Sequence, residues 1–248
     1  MRFVIDLSYP FTETVLRFIT VFFERRAKNL LSSALSAIIA RMKEIEILKW
    51  VHDTFHSQAW LNYIMVAITY IGEFGLSVMA CALILFLVKK TRRAGFDMAM
   101  GILFNLLIVN VILKYSVNRA RPWTEYAEFT QFYEQFGVRQ PSDSSFPSGH
   151  ASILFCGAVS LLFSYKIKAL PALAVAFLVA LSRIYLCLHY PTDVLGGILV
   201  GTACGVAGHY ASRGILALIA KKTKKEGGAE TLSSEPPPLA ERDEENKE

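Results

Sequence analysis

Apolar runs recur along this chain, each closed by a short basic or polar segment. They cover Phe74 to Val88, Met98 to Leu113, Ala151 to Tyr165, Leu170 to Ser182 and Val194 to Gly208. Several fall short of the ~20 residues that span a bilayer, but flanking residues that snorkel or sit at the interface can lengthen them. Five such runs in series predict an all-α, polytopic membrane helical bundle of about five to six transmembrane helices. One span should follow the Gly72-Glu73-Phe74-Gly75 break and end at Val88. The next runs from about Gly95 to Lys114, a third from Pro147 to near Lys168, a fourth from Ala169 to about Leu188, and a fifth from Pro191 towards Ala220. Trp60 to Tyr70 is a shorter apolar run. Glu44 to Gln58, with Trp50, His52 and Phe55 among charges, reads as interfacial.

The ends of the chain differ from this middle. Val15 to Phe23 and Leu30 to Ala40 are too short to span and predict N-terminal interfacial helices. No basic n-region precedes a clean apolar stretch and cleavage site, so a signal peptide is not expected. Met42 offers an alternative start. Residues 1–41 are therefore expected to be an amphipathic or accessory extension, and 42–220 the membrane-embedded domain. Residues 221–248 open on Lys221-Lys222-Thr223-Lys224-Lys225. They continue into a stretch rich in Glu, Ser and Pro that predicts a disordered cytoplasmic tail.

Charge gives the bundle a direction. The basic clusters Lys89 to Arg93, Lys166 to Lys168 and Lys221 to Lys225 alternate so as to share the cytoplasmic side. The Tyr115 to Phe146 loop and the Leu188 to Thr192 turn then share the extracytoplasmic side of the cell membrane. The basic residues of the N-terminal extension fit a five-span order poorly. On the fifth span Gly197, Gly201 and Gly205 recur every four residues, a smooth stripe on which a neighbouring helix can pack closely.

Composition agrees. The 248 residues are 53% hydrophobic, with mean hydropathy +0.38, too apolar for an ordinary soluble domain. The net charge of +5 lies largely in short loops and lacks the basic, aromatic-laced face that nucleic acid requires. Cys81, Cys156, Cys187 and Cys204 all sit in apolar runs and match no metal motif or disulfide framework. They read as small buried hydrophobes.

Polar residues cluster where the spans meet the outer face. Ser182 to Asp193 places Arg183, His189 and Asp193 in an apolar setting. A helix starting near Pro191 lets Asp193 reach back to the imidazole. That contact would fix the tautomer and leave the other nitrogen as a nucleophile or base. Arg183 offers a planar, permanently charged fork for phosphate. Lys114 and Arg121, in Lys114 to Pro122, put positive charge at an outer helix end, as a wall for an anion or as snorkelling side chains. Ser144 to His150 contains Pro147 in a first-turn position and Ser145 as a candidate cap. The amides of Ser148, Gly149 and His150 would face an incoming anion. Gly149 allows a phosphoryl group close to the backbone, and the Ser148 hydroxyl adds a donor.

Three motifs, Lys-x6-Arg-Pro (Lys114 to Pro122), Pro-Ser-Gly-His (Pro147 to His150) and Ser-Arg-x5-His-x3-Asp (Ser182 to Asp193), stand complete and in order. Together they resemble the type 2 phosphatidic acid phosphatase superfamily, which also holds vanadium haloperoxidases and glucose-6-phosphatase. The resemblance covers about Trp50 to Ala220. It implies that His189 attacks phosphorus to form a phosphohistidine while Asp193 orients the imidazole. It implies that His150 protonates the leaving oxygen and then activates water. Lys114, Arg121, Ser148, Gly149 and Arg183 would hold the phosphoryl oxygens, with no metal and no cofactor. The expected substrate is a phospholipid or polyprenyl phosphate in the bilayer, such as undecaprenyl diphosphate, phosphatidylglycerophosphate or phosphatidic acid. A vanadate-dependent haloperoxidase would use a similar cradle, but those enzymes are soluble. A lipid-binding or transport protein has no need of two histidines beside three phosphate-binding cations. Oligomeric state has no signature in the sequence.

Overall fold

The computed structural model describes residues 43–233. The accessory extension expected over residues 1–41, and the expected disordered tail beyond residue 233, lie outside the described residues. The chain divides into two compact units, Met1–Ala59 and Trp60–Glu248. The described part of the first carries a helix over residues 43–55, α1. The second unit begins with α2 (Ala59–Tyr70), a one-turn 3-10 helix (Glu73–Gly75) and α3 (Leu76–Leu87). Helix α4 (Arg92–Asn105) continues through a π-helical stretch (Leu106–Leu113) into α5 (Lys114–Val117). Then come α6 (Ala127–Phe136), α7 (Gly149–Tyr165), α8 (Leu170–Tyr185) and α9 (Pro191–Ser233). Helix α9 thus continues past the basic cluster at Lys221 to Lys225.

The fold is all-α, but the expected count of five to six transmembrane helices does not hold. Among the described residues three helical stretches are long and apolar enough to cross a membrane: Arg92–Thr124, Gly149–Tyr185 and Pro191–Thr223. The reason is length. Helices α2 and α3 have 12 residues each, about 18 Å at 1.5 Å per residue, against a hydrocarbon core of ~30 Å. The two runs between Gly149 and Tyr185 form one helical stretch of 37 residues. It is folded at Lys166, where φ is 51°, so that α7 and α8 pack on each other.

The core gathers where α3, α4, α7, α8 and α9 meet. Val78, Met98, Ile102, Leu154, Phe155, Ala176, Val179 and Val194 are buried together. Leu83, Leu103, Val111, Phe177, Leu181, Leu199 and Leu218 are exposed on the outside. Such an apolar exterior suits contact with lipid. Helix α7 is the hub, packing on α4, α8 and α9. Its approach to α9 depends on the glycine stripe. A Cβ on Gly197 would lie 2.6 Å from the Ser148 carbonyl oxygen, one on Gly201 2.1 Å from that of Ser152, and one on Gly205 2.8 Å from that of Cys156. The three glycines therefore let two backbones touch. The cysteines are free thiols, with Cys156, Cys187 and Cys204 buried.

This packing makes a paired prediction. Gly201→Ala drives a methyl into the α7 backbone, and overpacking of this kind costs ~1–3 kcal/mol. Gly214 lies farther along the same helix with nothing within 4 Å of its would-be Cβ. There alanine should be neutral or stabilising, because it is the better helix former. Thermal unfolding of the two variants in one detergent should give a lower midpoint for Gly201→Ala only.

Candidate active site

Four helix ends converge on one end of the bundle and together bring the three motifs. Helix α5 delivers Lys114 and stops at Asn118, whose left-handed backbone (φ 43°) turns the chain towards Arg119 and Arg121. Asparagine tolerates that conformation better than most residues. Helix α8 delivers Arg183 and ends in a turn through Cys187 (φ 51°). The amides of Leu188 and His189 both reach the Arg183 carbonyl, at 3.0 and 3.3 Å. This turn aims His189 back into the protein. Helix α9 begins at Pro191 and places Asp193 in its first turn. Helix α7 begins at Gly149, with Ser148 at the N-cap and Pro147 before it. Ser145 does not cap this helix.

Lys114, Arg121, Gly149, His150, Arg183 and His189 all line one cavity of about 410 Å³. Leu106, Val109 and Ile153 line it too, so the cavity has a charged end and an apolar wall. Ser148 and Asp193 lie behind this surface and are fully buried. Among the described residues, the buried polar atoms here without a hydrogen-bond partner include Nδ2 of Asn105, the Ser148 hydroxyl and Nε of Arg183. Buried donors without acceptors are costly unless a ligand completes them. The Arg183 Nη1 donates to Thr69 Oγ1 at 2.8 Å, which fixes the guanidinium. The Ser148 amide is engaged by the Asp193 carbonyl at 2.9 Å, so it does not face the cavity as the sequence suggested.

The nucleophile candidate is held firmly. His189 Nδ1 donates to the Ser145 carbonyl at 2.8 Å. Asp193 Oδ2 stands 3.8 Å from the same nitrogen, beyond a hydrogen bond but close enough to act by charge. Asp193 is instead bound by the Ser145 hydroxyl at 2.5 Å, by Arg119 Nη1 at 2.6 Å and by the Tyr190 amide at 3.0 Å. Arg119 also stacks on the Tyr190 ring, 4.1 Å from its centroid. The fixed tautomer leaves Nε2 facing Arg121, whose Nη1 is 3.3 Å away. Burial drives the His189 imidazole down to about 3, against Asp193, and the charges of Arg121 and Arg183 add to the drop. A neutral ring follows at neutral pH, with its Nε2 lone pair accepting from Arg121 Nη1.

Several participants carried no sequence signal of their own. Asp143 bridges the cradle, accepting from Lys114 Nζ and from Arg121 Nη2, each at 2.5 Å. Burial pushes its carboxyl up, but the bonds and charges of Lys114 and Arg121 outweigh this and leave it below the usual range. Arg121 Nε also donates to the Asp143 carbonyl at 2.8 Å. Tyr133 of α6 donates to the Cys187 carbonyl at 2.8 Å and pins α6 to the turn that presents His189. His150 Nε2 meets Glu73 Oε2 at 3.3 Å. Among the described residues, no group of three or more His, Cys, Asp or Glu side chains is arranged to hold a metal ion.

Two expectations follow from this geometry. Asp143 holds the two cations that an incoming oxyanion needs, so Asp143→Asn should tighten inhibition by orthovanadate several-fold. Unchanged or weaker inhibition would mean that the carboxylate does not compete. The second concerns pH. An unfolded histidine titrates near 6.5 and folded His189 near 3, so the unfolded chain binds the extra proton in that window. Stability present above about 6.5 is therefore lost as pH falls towards about 3. Melting midpoints in detergent should drop across that range, and His189→Asn should flatten the slope.

The comparisons agree with this architecture. Residues 93–215 match the family model described as the PAP2 superfamily. An undecaprenyl-diphosphatase of Sulfolobus acidocaldarius is 31% identical over 159 residues, covering 64% of this chain and 73% of that protein. The crystal structure of a transmembrane PAP2-type phosphatidylglycerolphosphate phosphatase from Bacillus subtilis superposes with a TM-score of 0.55 at 27% identity. That match covers 73% of this chain and 88% of the other. A bacterial vanadium-dependent iodoperoxidase shares the fold at TM-score 0.54 and 16% identity, over 69% of this chain and 49% of its own. With its three motifs converging on one cavity at the end of an apolar bundle, the chain belongs to the PAP2 superfamily and is a multi-pass membrane phosphatase of that family.

Proposed function

We propose that the protein hydrolyses a lipid phosphate at the extracytoplasmic face of the cell membrane, through a phosphohistidine on His189 and without a metal. The observation that carries this is the cavity. It joins the His189 imidazole, four cations and the unpartnered donors of Asn105 and Arg183 to an apolar wall, with the unpartnered Ser148 hydroxyl just behind. Substrate candidates are undecaprenyl diphosphate, phosphatidylglycerophosphate and phosphatidic acid. The names of the two phosphatase relatives favour the first two.

In the first step His189 Nε2 attacks phosphorus and the bond to the leaving oxygen breaks. His150 gives that oxygen a proton. Lys114, Arg121, Arg183, the Ser148 hydroxyl and the Gly149 amide hold the phosphoryl oxygens, where charge builds in the transition state. A Cβ on Gly149 would lie 3.6 Å from Lys114 Nζ, so the backbone and the ammonium already face each other closely. In the second step His150 takes a proton from water, which attacks phosphorus as the N–P bond breaks. Asp193, neutralised by Arg119 and Ser145, keeps the nucleophile oriented. Cations replace a metal here, because the cavity offers guanidinium and ammonium groups where a metal site would offer carboxylates.

The face is supported by the polarity of individual helices. The site lies at the ends carrying Lys114, Gly149, Arg183 and Pro191. The opposite ends of the same elements carry Arg92 and Arg93, Lys166 and Lys168, and Lys221 and Lys222. Positive clusters favour the cytoplasm.

Phosphate release by purified protein should persist in excess chelator. His189→Ala should abolish it on every substrate. His150→Ala should lose ~10²–10⁴-fold on a lipid phosphate, and less on an aryl phosphate with a good leaving group. Activity lost to chelator and restored by magnesium, or retained by His189→Ala, would defeat the mechanism. A panel of diphosphate and monophosphate lipids then ranks the substrates.

A further inference from the structure

A leaving-group acid must hold a proton on an imidazole, yet His150 shares its cavity with Lys114, Arg121, Arg139 and Arg183. Those cations suit a phosphoryl group but disfavour an imidazolium. Asp143 does not offset this, because its carboxylate is taken by Lys114 and Arg121. The carboxylate that faces His150 is Glu73. Its Oε2 lies 3.3 Å from His150 Nε2, and its Oε1 accepts from Arg139 Nη1 at 3.1 Å. Glu73 is largely buried, at 23% side-chain exposure, whereas Arg139 is 55% exposed at the cavity rim.

The neighbouring residue gives independent support. A Cβ on Gly72 would lie 2.9 Å from Cδ2 of His150 and 3.0 Å from Cδ1 of Leu154. Bare backbone therefore lies against the edge of the imidazole. Gly75 closes the same turn with φ +67° over Ile153 of α7. The whole Gly72–Gly75 turn is shaped to the first turns of α7. Its backbone sets where the ring lies and its one carboxylate sets which nitrogen is held.

We infer that Glu73 is the positioning residue of His150, an inference that rests on the role proposed above for that histidine. Its carboxylate accepts a hydrogen bond from Nε2–H and leaves Nδ1 to trade a proton with the substrate. In the first step the Nδ1 proton passes to the leaving oxygen as the His189 N–P bond forms. In the second step Nδ1 takes a proton from the attacking water as that bond breaks. Glu73 keeps its charge throughout and balances the imidazolium. Arg139 tethers the carboxylate from the rim.

Glu73→Gln keeps the shape and removes the charge. The first turnover of wild type and variant is measured on a lipid phosphate and on an activated aryl phosphate, across pH. On the lipid the variant should lose roughly tenfold or more, a part of the ~10²–10⁴-fold contributed by general acid–base help. The loss should shrink on the aryl phosphate, and the high-pH limb of the profile should move to lower pH. Glu73→Asp should recover part of the rate. In a His150→Ala background Glu73→Gln should cost nothing more. Equal losses on both leaving groups with an unmoved pH profile, or a full further loss beside His150→Ala, would overturn the inference. Should Glu73→Gln fail to fold, Gly72→Ala displaces the ring and leaves the carboxylate in place. It must then show the same dependence on leaving group, and a uniform loss would count equally against the inference. No phosphate release from either substrate by wild type would defeat the phosphatase reading itself, and this inference with it.

Discussion

The structure depends on keeping several positive charges at the end of an apolar bundle. Lys114, Arg121 and Arg183 converge where desolvation makes like charges expensive. Each is held by a bond that fixes its direction. Thr69 takes Arg183, and Asp143 takes both Lys114 and Arg121. Arg119 does not enter the cavity lining, because Asp193, Thr192 and the Tyr190 ring occupy it. The carboxylates are thus divided between tasks. Asp193 lies beside His189, Asp143 bridges Lys114 and Arg121, and Glu73 faces His150. Their separation lets a single small cavity hold a neutral His189 and a candidate acid at His150.

Close packing supplies the precision this needs. His189 and Asp193 belong to the α8–α9 turn, while Ser148 and His150 start α7. Any change in the α7–α9 distance would move His189 relative to His150. The glycine stripe makes that distance a backbone-to-backbone contact, which leaves little freedom. The bond from the Ser148 amide to the Asp193 carbonyl, at 2.9 Å, ties the two helix starts together where the stripe ends. The Ser145 amide to Arg119 carbonyl bond, also 2.9 Å, ties the same Ser144 to His150 segment to the Lys114 to Pro122 segment.

Much of the site was legible because its chemistry is written in local spacing. His189 and Asp193 are four apart, Pro-Ser-Gly-His opens a helix, and Lys114 and Arg121 flank a helix end. Those patterns need no knowledge of the fold. Glu73 and Asp143 were not legible, since one acid in a glycine-bounded turn and another in a serine-rich loop acquire meaning only across the fold. The four-residue spacing places the Asp193 carboxylate 3.8 Å from His189 Nδ1, and Ser145, bonded to that carboxylate, adds a second link between them. The number of membrane-crossing helices failed for a physical reason. Hydropathy marks apolar segments, but it does not separate a 12-residue helix such as α3 from a full span. Nor does it mark the fold at Lys166.

A second Ser, His and Asp constellation lies towards the other end of α4 and α9, and the contrast clarifies what makes a site. Asp97 accepts from His209 Nδ1 at 2.7 Å and from the Ser212 hydroxyl. Phe163 stacks on the His209 ring with centroids 4.1 Å apart. Both donors point at the carboxylate, so serine and histidine are not paired with each other as a nucleophile and base would be. None of the three lines the cavity of the candidate active site. Gly208 packs against Gly101 at the same level, where a Cβ would lie 2.3 Å from the Gly101 amide nitrogen. The group therefore satisfies a buried carboxylate while fastening α4 to α9, as an ionisable residue inside a bundle requires. Residue types alone do not distinguish the two constellations. Access to a cavity and the presence of donors left without a partner do.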